Sequence, residues 1–191
     1  MQRGYKAWAE TQACEVRSRA GLTADARLPA RLLLRRLNAI VTTPSLVPGM
    51  SAADIGQLIR TDPWSWSAVS GSYDGTTFVI VNDAHTPARQ ESNLHHEAAH
   101  LIRGHHPSRL LQVNGLTLRE YDDAADSEAE WLAGCLHLPR AALLTAVRQG
   151  DDDSTIGQKF LASTEMVRFR RSVTGIDRQL AFAGRRRRVF P

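Results

Sequence analysis

The sequence predicts an α+β fold, a small mixed sheet with helices packed around it. Three observations predict it. Two β-rich stretches, Trp64 to Val69 and Thr76 to Val81, flank the turn chemistry of Ser70-Gly71-Ser72-Tyr73-Asp74-Gly75 and read as a hairpin. Apolar residues at helical spacing recur on both sides of that hairpin. Between them, His96-Glu97-Ala98-Ala99-His100 lies in a stretch whose apolar residues, Leu94, Ala98, Leu101 and Ile102, share one helical face.

The chain has 191 residues, which suits one domain with a small appendage, divided here as residues 1–150 and 151–191. A hydrophobic share of 42% is enough for a true core. No apolar run is long enough to predict a membrane-spanning helix. The start, Met1-Gln2-Arg3-Gly4-Tyr5-Lys6, lacks the apolar stretch of a secretion signal, and Cys14 and Cys135 stand alone, so a cytoplasmic protein with reduced thiols is expected. The net charge of +4 is carried almost wholly by arginine.

In chain order, residues 5–20 read as a helix with Ala7, Trp8, Ala13 and Val16 inward, stopped by Gly21. Pro29 opens a second helix, Ala30 to Ile40, with Leu32, Leu33, Leu37 and Ile40 buried. Val41-Thr42-Thr43 is a short strand and Pro44 to Gly49 a loop. Ser51 caps a short helix through Ile59. These segments read as scaffold. Phe78 to Val81 is apolar on both faces, as in a covered strand, and the edge of its hairpin offers a place for an extended peptide to pair. His85 reads as a surface histidine in the loop that follows. The motif helix runs from Ala88 to Arg103, where Gly104 ends it, and residues 107–122 read as an irregular loop.

The motif carries the chemistry. His96 and His100 are about one turn apart, so both imidazoles project from one face and can reach one Zn²⁺. Glu97 is rotated about 100° from His96, near enough to reach a water at an open coordination position. Chance yields roughly 0.01 such patterns in a chain of this composition. A catalytic zinc takes a third protein ligand, and a second helix, Asp122 to Leu136, supplies acids. Asp126 and Glu130 share one face, while Glu128 points away. Either Asp126 binds the metal and Glu130 accepts an N–H from a ligating histidine, or Glu128 alone faces the metal. His105 is a candidate partner of the ligands and Tyr121 a candidate hydrogen-bond donor to a developing oxyanion, packing being the plainer role for Tyr121.

Taken together, the β-rich stretch ending at Val81-Asn82, the His96-Glu97-x-x-His100 motif and Asp126-Ser127-Glu128-Ala129-Glu130-Trp131-Leu132-Ala133-Gly134-Cys135-Leu136-His137-Leu138-Pro139 resemble the ImmA/IrrE family of metallopeptidases. The resemblance covers about residues 60–145. It implies a zincin-like fold with a motif helix, a ligand helix and packing helices. It implies His96 and His100 as zinc ligands, Glu97 as catalytic base, and Asp126 at the position of the third ligand, with Glu130 on the family's Asn/Asp position. It also implies a protein substrate of narrow range, such as a repressor. Two positions depart from the family pattern. Asp126 is one methylene shorter than the usual Glu, which keeps Glu128 as the alternative ligand, and His137 replaces a Leu.

The C-terminal segment reads as two short helices, to Leu161 and to Val173, joined by a turn at Ala162-Ser163-Thr164. Phe160, Leu161, Met166, Val167 and Phe169 pack the pair. Arg168, Arg170, Arg171 and the run Arg185 to Arg188 offer phosphate contacts; a helical hairpin packed on the same domain, with a solvated basic tail, is the preferred reading. The rival to a zinc peptidase is a DNA-binding or interaction regulator with a non-catalytic zinc. An intact Glu97 favours hydrolysis, because a structural metal site needs no base.

Overall fold

The computed structural model describes residues 3–113 and 116–181. Helix α1, Tyr5–Arg19, buries Tyr5, Ala9, Ala13 and Arg17, a strict four-residue stripe. Ala7, expected inside, is exposed, because the small alanines one turn apart let α1 lie close against the helix that carries the acids. Helix α2, Ala30–Arg36, is shorter than predicted. Asn38 adopts a left-handed conformation (φ 56°) and turns the chain into strand β1, Ala39–Thr42. Ile40 therefore belongs to a strand and is 59% exposed rather than buried in a helix.

Ser51 caps helix α3, Ala52–Gly56, in a reciprocal pairing with Asp54, and the chain continues as one π-helical turn. Strands β2, Ala68–Tyr73, and β3, Thr76–Val81, form the predicted hairpin. Its turn is tighter than expected: Asp74 and Gly75 both have positive φ, so Ser70 to Tyr73 remain in the strand. Helix α4, Pro87–Arg103, is capped by Thr86 and ended by Gly104 at φ 66°.

Residues 107–122, expected as an irregular loop, instead contain strands β4, Arg109–Val113, and β5, Leu116–Glu120. Pairing of β5 with β2 at Gly71 and Ser72 supplies the backbone partners that the polar local sequence does not advertise. Gly71 permits that approach, since a Cβ there would lie 2.6 Å from both the Phe78 ring and the Thr117 carbonyl oxygen. Helix α5, Asp123–His137, is capped by Asp122. Helix α6, Arg140–Gln149, follows without a signal read from the sequence, and α7, Asp153–Phe160, and α8, Thr164–Thr174, form the expected helical pair.

The sheet order is β1-β3-β2-β5-β4, with β1 parallel to β3 and the other pairs antiparallel. Val79 and Val81 on one face join Leu94, Ala98 and Ala99 of α4 and Ala129, Leu132 and Ala133 of α5 in the main core. Phe78 and Ile80 on the opposite face pack with Val47, Val69, Leu116 and Leu118. Helices α6 to α8 gather a further apolar cluster around Leu143, Ile156, Phe160 and Val167.

Charged groups tie these parts together. Fully buried Arg17 donates to the carbonyls of Ala13, Ala26 and Leu136. Arg170, a candidate phosphate contact in the alternative reading, is fully buried, bonding the Leu138 carbonyl and Glu10, as the preferred packed hairpin requires. Arg168 and Arg171 bond Asp153, and Arg171 also bonds Asp177. The described arginines of α8 are thus committed to internal partners; Arg185 to Arg188 lie outside the described residues. His85 is buried rather than on the surface, with Nε2 2.9 Å from the Pro63 carbonyl and its ring stacked on Trp64. His137 is buried against His95 and donates toward the carbonyls of Phe160 and Leu161, away from the motif. Among the described residues, no helix is long and apolar enough to cross a membrane.

Candidate metal centre

The four-residue spacing on α4 brings the Nε2 atoms of His96 and His100 to 3.1 Å of each other. Small residues on both helices, Ala98 and Ala99 on α4 and Ala129 and Ala133 on α5, allow a close approach of the two. That approach delivers Asp126, in the first turn of α5, to the histidines. Its Oδ1 lies 3.2 Å from His96 Nε2 and 3.3 Å from His100 Nε2. Donors about 2.0–2.1 Å from a tetrahedral Zn²⁺ sit roughly 3.3 Å apart, so this triangle has the size that a metal requires. The three donor types also suit zinc, and together His96, His100 and Asp126 form a group able to hold a metal ion. Asp126, rather than Glu128, is the acid that meets both imidazoles.

Behind His100 stands a second histidine. His105, one residue beyond the helix-ending Gly104, places Nδ1 3.0 Å from His100 Nδ1. For His100 to offer its Nε2 lone pair, its Nδ1 must carry the proton and donate to His105. His105 then carries its own proton on Nε2, which faces Glu128 Oε2 at 3.6 Å. Glu128 is fixed in turn by Arg103 Nε at 3.0 Å. Glu128, rather than Glu130, is the carboxylate nearest this histidine pair, at ion-pair and not hydrogen-bond distance from His105 Nε2. Glu130 is exposed and makes no hydrogen bond to a histidine among the described residues. Tyr121 lies flat on the His100 ring, centroids 3.7 Å apart, so packing against the ligand is its observed contact.

Electrostatics keep these groups in usable states. Burial, then the neighbouring His96 and His105, lowers His100 to about 4, so its imidazole is neutral at physiological pH. Burial also lowers His105. Glu97 is buried, and burial is the main cause of its raised pKa, with the nearby His96 charge pulling it partly back. Ser70 lies close enough to lower it as well, yet among the described residues neither Glu97 Oε2 nor the Ser70 hydroxyl has a hydrogen-bond partner of ordinary geometry. A buried carboxylate oxygen in that state is costly and has room for a further donor such as water.

The triad and Glu97 open into a cleft of about 430 Å³, walled on one side by Ser67 and by Ala68 and Val69 of β2, and on the other by Arg119 and Tyr121. Ala68 and Val69 pair with β3 on one edge, whereas β5 joins β2 at Gly71 and Ser72. Among the described residues, no strand is registered against β2 at Ala68 and Val69 on the edge beside the metal triad. Arg119 and Asn93 also line the cleft; neither carries a sequence signal, because a single Arg or Asn has no motif and the β4–β5 hairpin that positions Arg119 is itself weakly marked.

Comparison with known proteins places these elements in context. Residues 52–172 match the family model of the M78 peptidases, described as the IrrE N-terminal-like domain. The match covers well over half of the chain and includes both the motif helix and α5. No curated protein matches the chain.

Proposed function

The chain belongs to the M78 peptidase family, and we propose that it is a zinc-dependent endopeptidase of zincin-like design that cuts a specific regulatory protein, such as a repressor. The observation that carries this reading is the convergence of three metal-donor atoms, 3.1–3.3 Å apart, beside a buried carboxylate with a free oxygen. His96, His100 and Asp126 would hold the metal. When bound, zinc supplies a Lewis acid that polarises a peptide carbonyl and acidifies water.

The protein's own residues do the rest. Glu97 takes the proton of the attacking water at a carboxylate oxygen and hands it to the leaving amine. Its burial disfavours its charged form and so favours the first of these transfers, uptake of the water's proton. The open edge of β2 accepts an extended peptide by main-chain hydrogen bonds and lays it along the cleft. His105 and Glu128 hold the His100 ring in one tautomer. The narrow substrate class follows the likeness to ImmA/IrrE peptidases; the cleft supports its peptide part. A regulator with a non-catalytic metal has no use for Glu97, and the α8 arginines are occupied internally.

The test is a digest of a proteome-derived peptide library by the zinc-loaded chain, with a Glu97→Gln variant and a chelator-treated sample as controls. Cuts made by the wild type and by neither control support the reading. A zinc-loaded wild type that yields the same peptides as its controls contradicts it.

A further inference from the structure

Resting on the peptidase reading, we infer that Arg119 is a specificity residue that receives a carboxylate of the peptide substrate. Along β5, Leu116 and Leu118 enter the apolar cluster with Phe78 and Ile80. Strand alternation sends Thr117 and Arg119 to the opposite face, where His100 and Tyr121 lie. There Arg119 lines two depressions at once: the metal cleft and a neighbouring one of about 420 Å³ that reaches Leu101, His105 and Leu110. With His100 and Tyr121 it is the wall that the two share.

Its state is unusual for this chain. Arg103, Arg140 and Arg171, the other arginines that are neither buried nor fully exposed, each meet a side-chain acceptor: Glu128, Gln179, and Asp153 with Asp177. Fully buried Arg17 and Arg170 are saturated by carbonyls or carboxylate. Arg119 has no hydrogen bond or ion pair from its guanidinium among the described residues. Glu120, next to it, has Arg109 as its cationic neighbour at 3.9 Å.

The guanidinium of half-buried Arg119 presents a planar fork of donors suited to a two-oxygen anion. In a peptide that anion is a carboxylate, either the side chain of Asp or Glu or the free C terminus. Arg119 is also the one arginine among the residues lining the metal cleft. A substrate carboxylate seated on it fixes the peptide's register relative to His96 and His100.

Two copies of one proteome-derived peptide library, one with free and one with amidated C termini, are digested by the zinc-loaded full chain, and cut sites are read by mass spectrometry. The inference expects Asp and Glu, at one fixed position from the cut, to be favoured about tenfold or more over Asn and Gln in both libraries. Arg119→Gln brings that ratio near one, and Arg119→Lys restores part of it. A preference confined to the free-ended library, and lost in Arg119→Gln, assigns the carboxylate to the chain terminus. Absence of either preference in the wild type, or its persistence in a folded Arg119→Gln, overturns the inference and leaves the peptidase reading standing. If the zinc-loaded wild type cuts nothing, the peptidase reading fails on its own, and both libraries are panned on Glu97→Gln protein. Acidic or free-ended peptides enriched there, and lost in the double variant with Arg119→Gln, keep the inference; no enrichment overturns it.

Discussion

Arg17→Met removes the guanidinium that joins α1 to the end of α5 while keeping most of the stem. Arg17 bonds the carbonyls of Ala26 at 2.8 Å, Ala13 at 3.0 Å and Leu136 at 2.6 Å. Burial lowers its pKa to about 10, so it remains charged at neutral pH. The Ala13 carbonyl lies within α1 and keeps a helical N–H. The Leu136 carbonyl lies in the last turn of α5, and the N–H that would continue the helix, that of Arg140, donates to Glu10 instead. One buried carbonyl, that of Leu136, and one partly buried, that of Ala26, are then left without a protein donor, at about 1–3 kcal/mol each. Burial of the methionine tip returns about 1 kcal/mol, for a net loss of about 3 kcal/mol. In a chain of this size that lowers Tm by roughly 6–12 °C. The assay is thermal unfolding by circular dichroism, with Arg19→Met as control, because exposed Arg19 pairs only with Glu15 at 3.6 Å and is worth less than about 0.5 kcal/mol. A drop in Arg17→Met no larger than in the control would refute the buried-guanidinium account.

Three further outcomes follow from the same geometry. Gly71→Ala places a methyl against the Phe78 ring and the Thr117 carbonyl, so it is expected to destabilise by about 1–3 kcal/mol in urea titration and to lower peptidase activity by displacing β5. Glu128→Gln removes the charge behind His105 and is expected to weaken zinc about 10–100-fold in competition with a chromogenic chelator, while Glu130→Gln changes it little. Burial holds His137 below the ordinary histidine pKa, so the unfolded chain takes up that proton first as pH falls. Stability is therefore present above about pH 6.5 and lost below it, and His137→Leu should flatten the decline of the unfolding free energy, read from urea titrations, by up to ~1.4 kcal/mol per pH unit.

The motif helix was legible because its glycine stop, apolar stripe and histidine spacing all agree, and α5 because an acidic start and an apolar stripe agree. The hairpin was legible in kind and not in extent, since the positive φ at Asp74 and Gly75 moves the turn past Ser70 to Tyr73. The β4–β5 hairpin was hidden because its order comes from β2, distant in the chain, where Gly71 meets Leu118, and not from local propensity. Two acids on α5 could be placed on opposite faces from the sequence, which left the third ligand open; only the approach of α4 to α5 puts Asp126 on the imidazoles and Glu128 on Arg103 and His105. The burial of Arg17 and Arg170 was not legible, because charge alone does not reveal that carbonyls and a carboxylate surround them.

The central claim is that His96, His100 and Asp126 hold a zinc ion beside Glu97. Zinc per chain, measured by plasma mass spectrometry on wild type, Asp126→Ala, Glu128→Ala and Glu97→Gln after reconstitution, tests it most directly. About one zinc in wild type and Glu97→Gln, reduced in Glu128→Ala and lost in Asp126→Ala, is the expected result. Full retention in Asp126→Ala, or no zinc in wild type, would contradict the account.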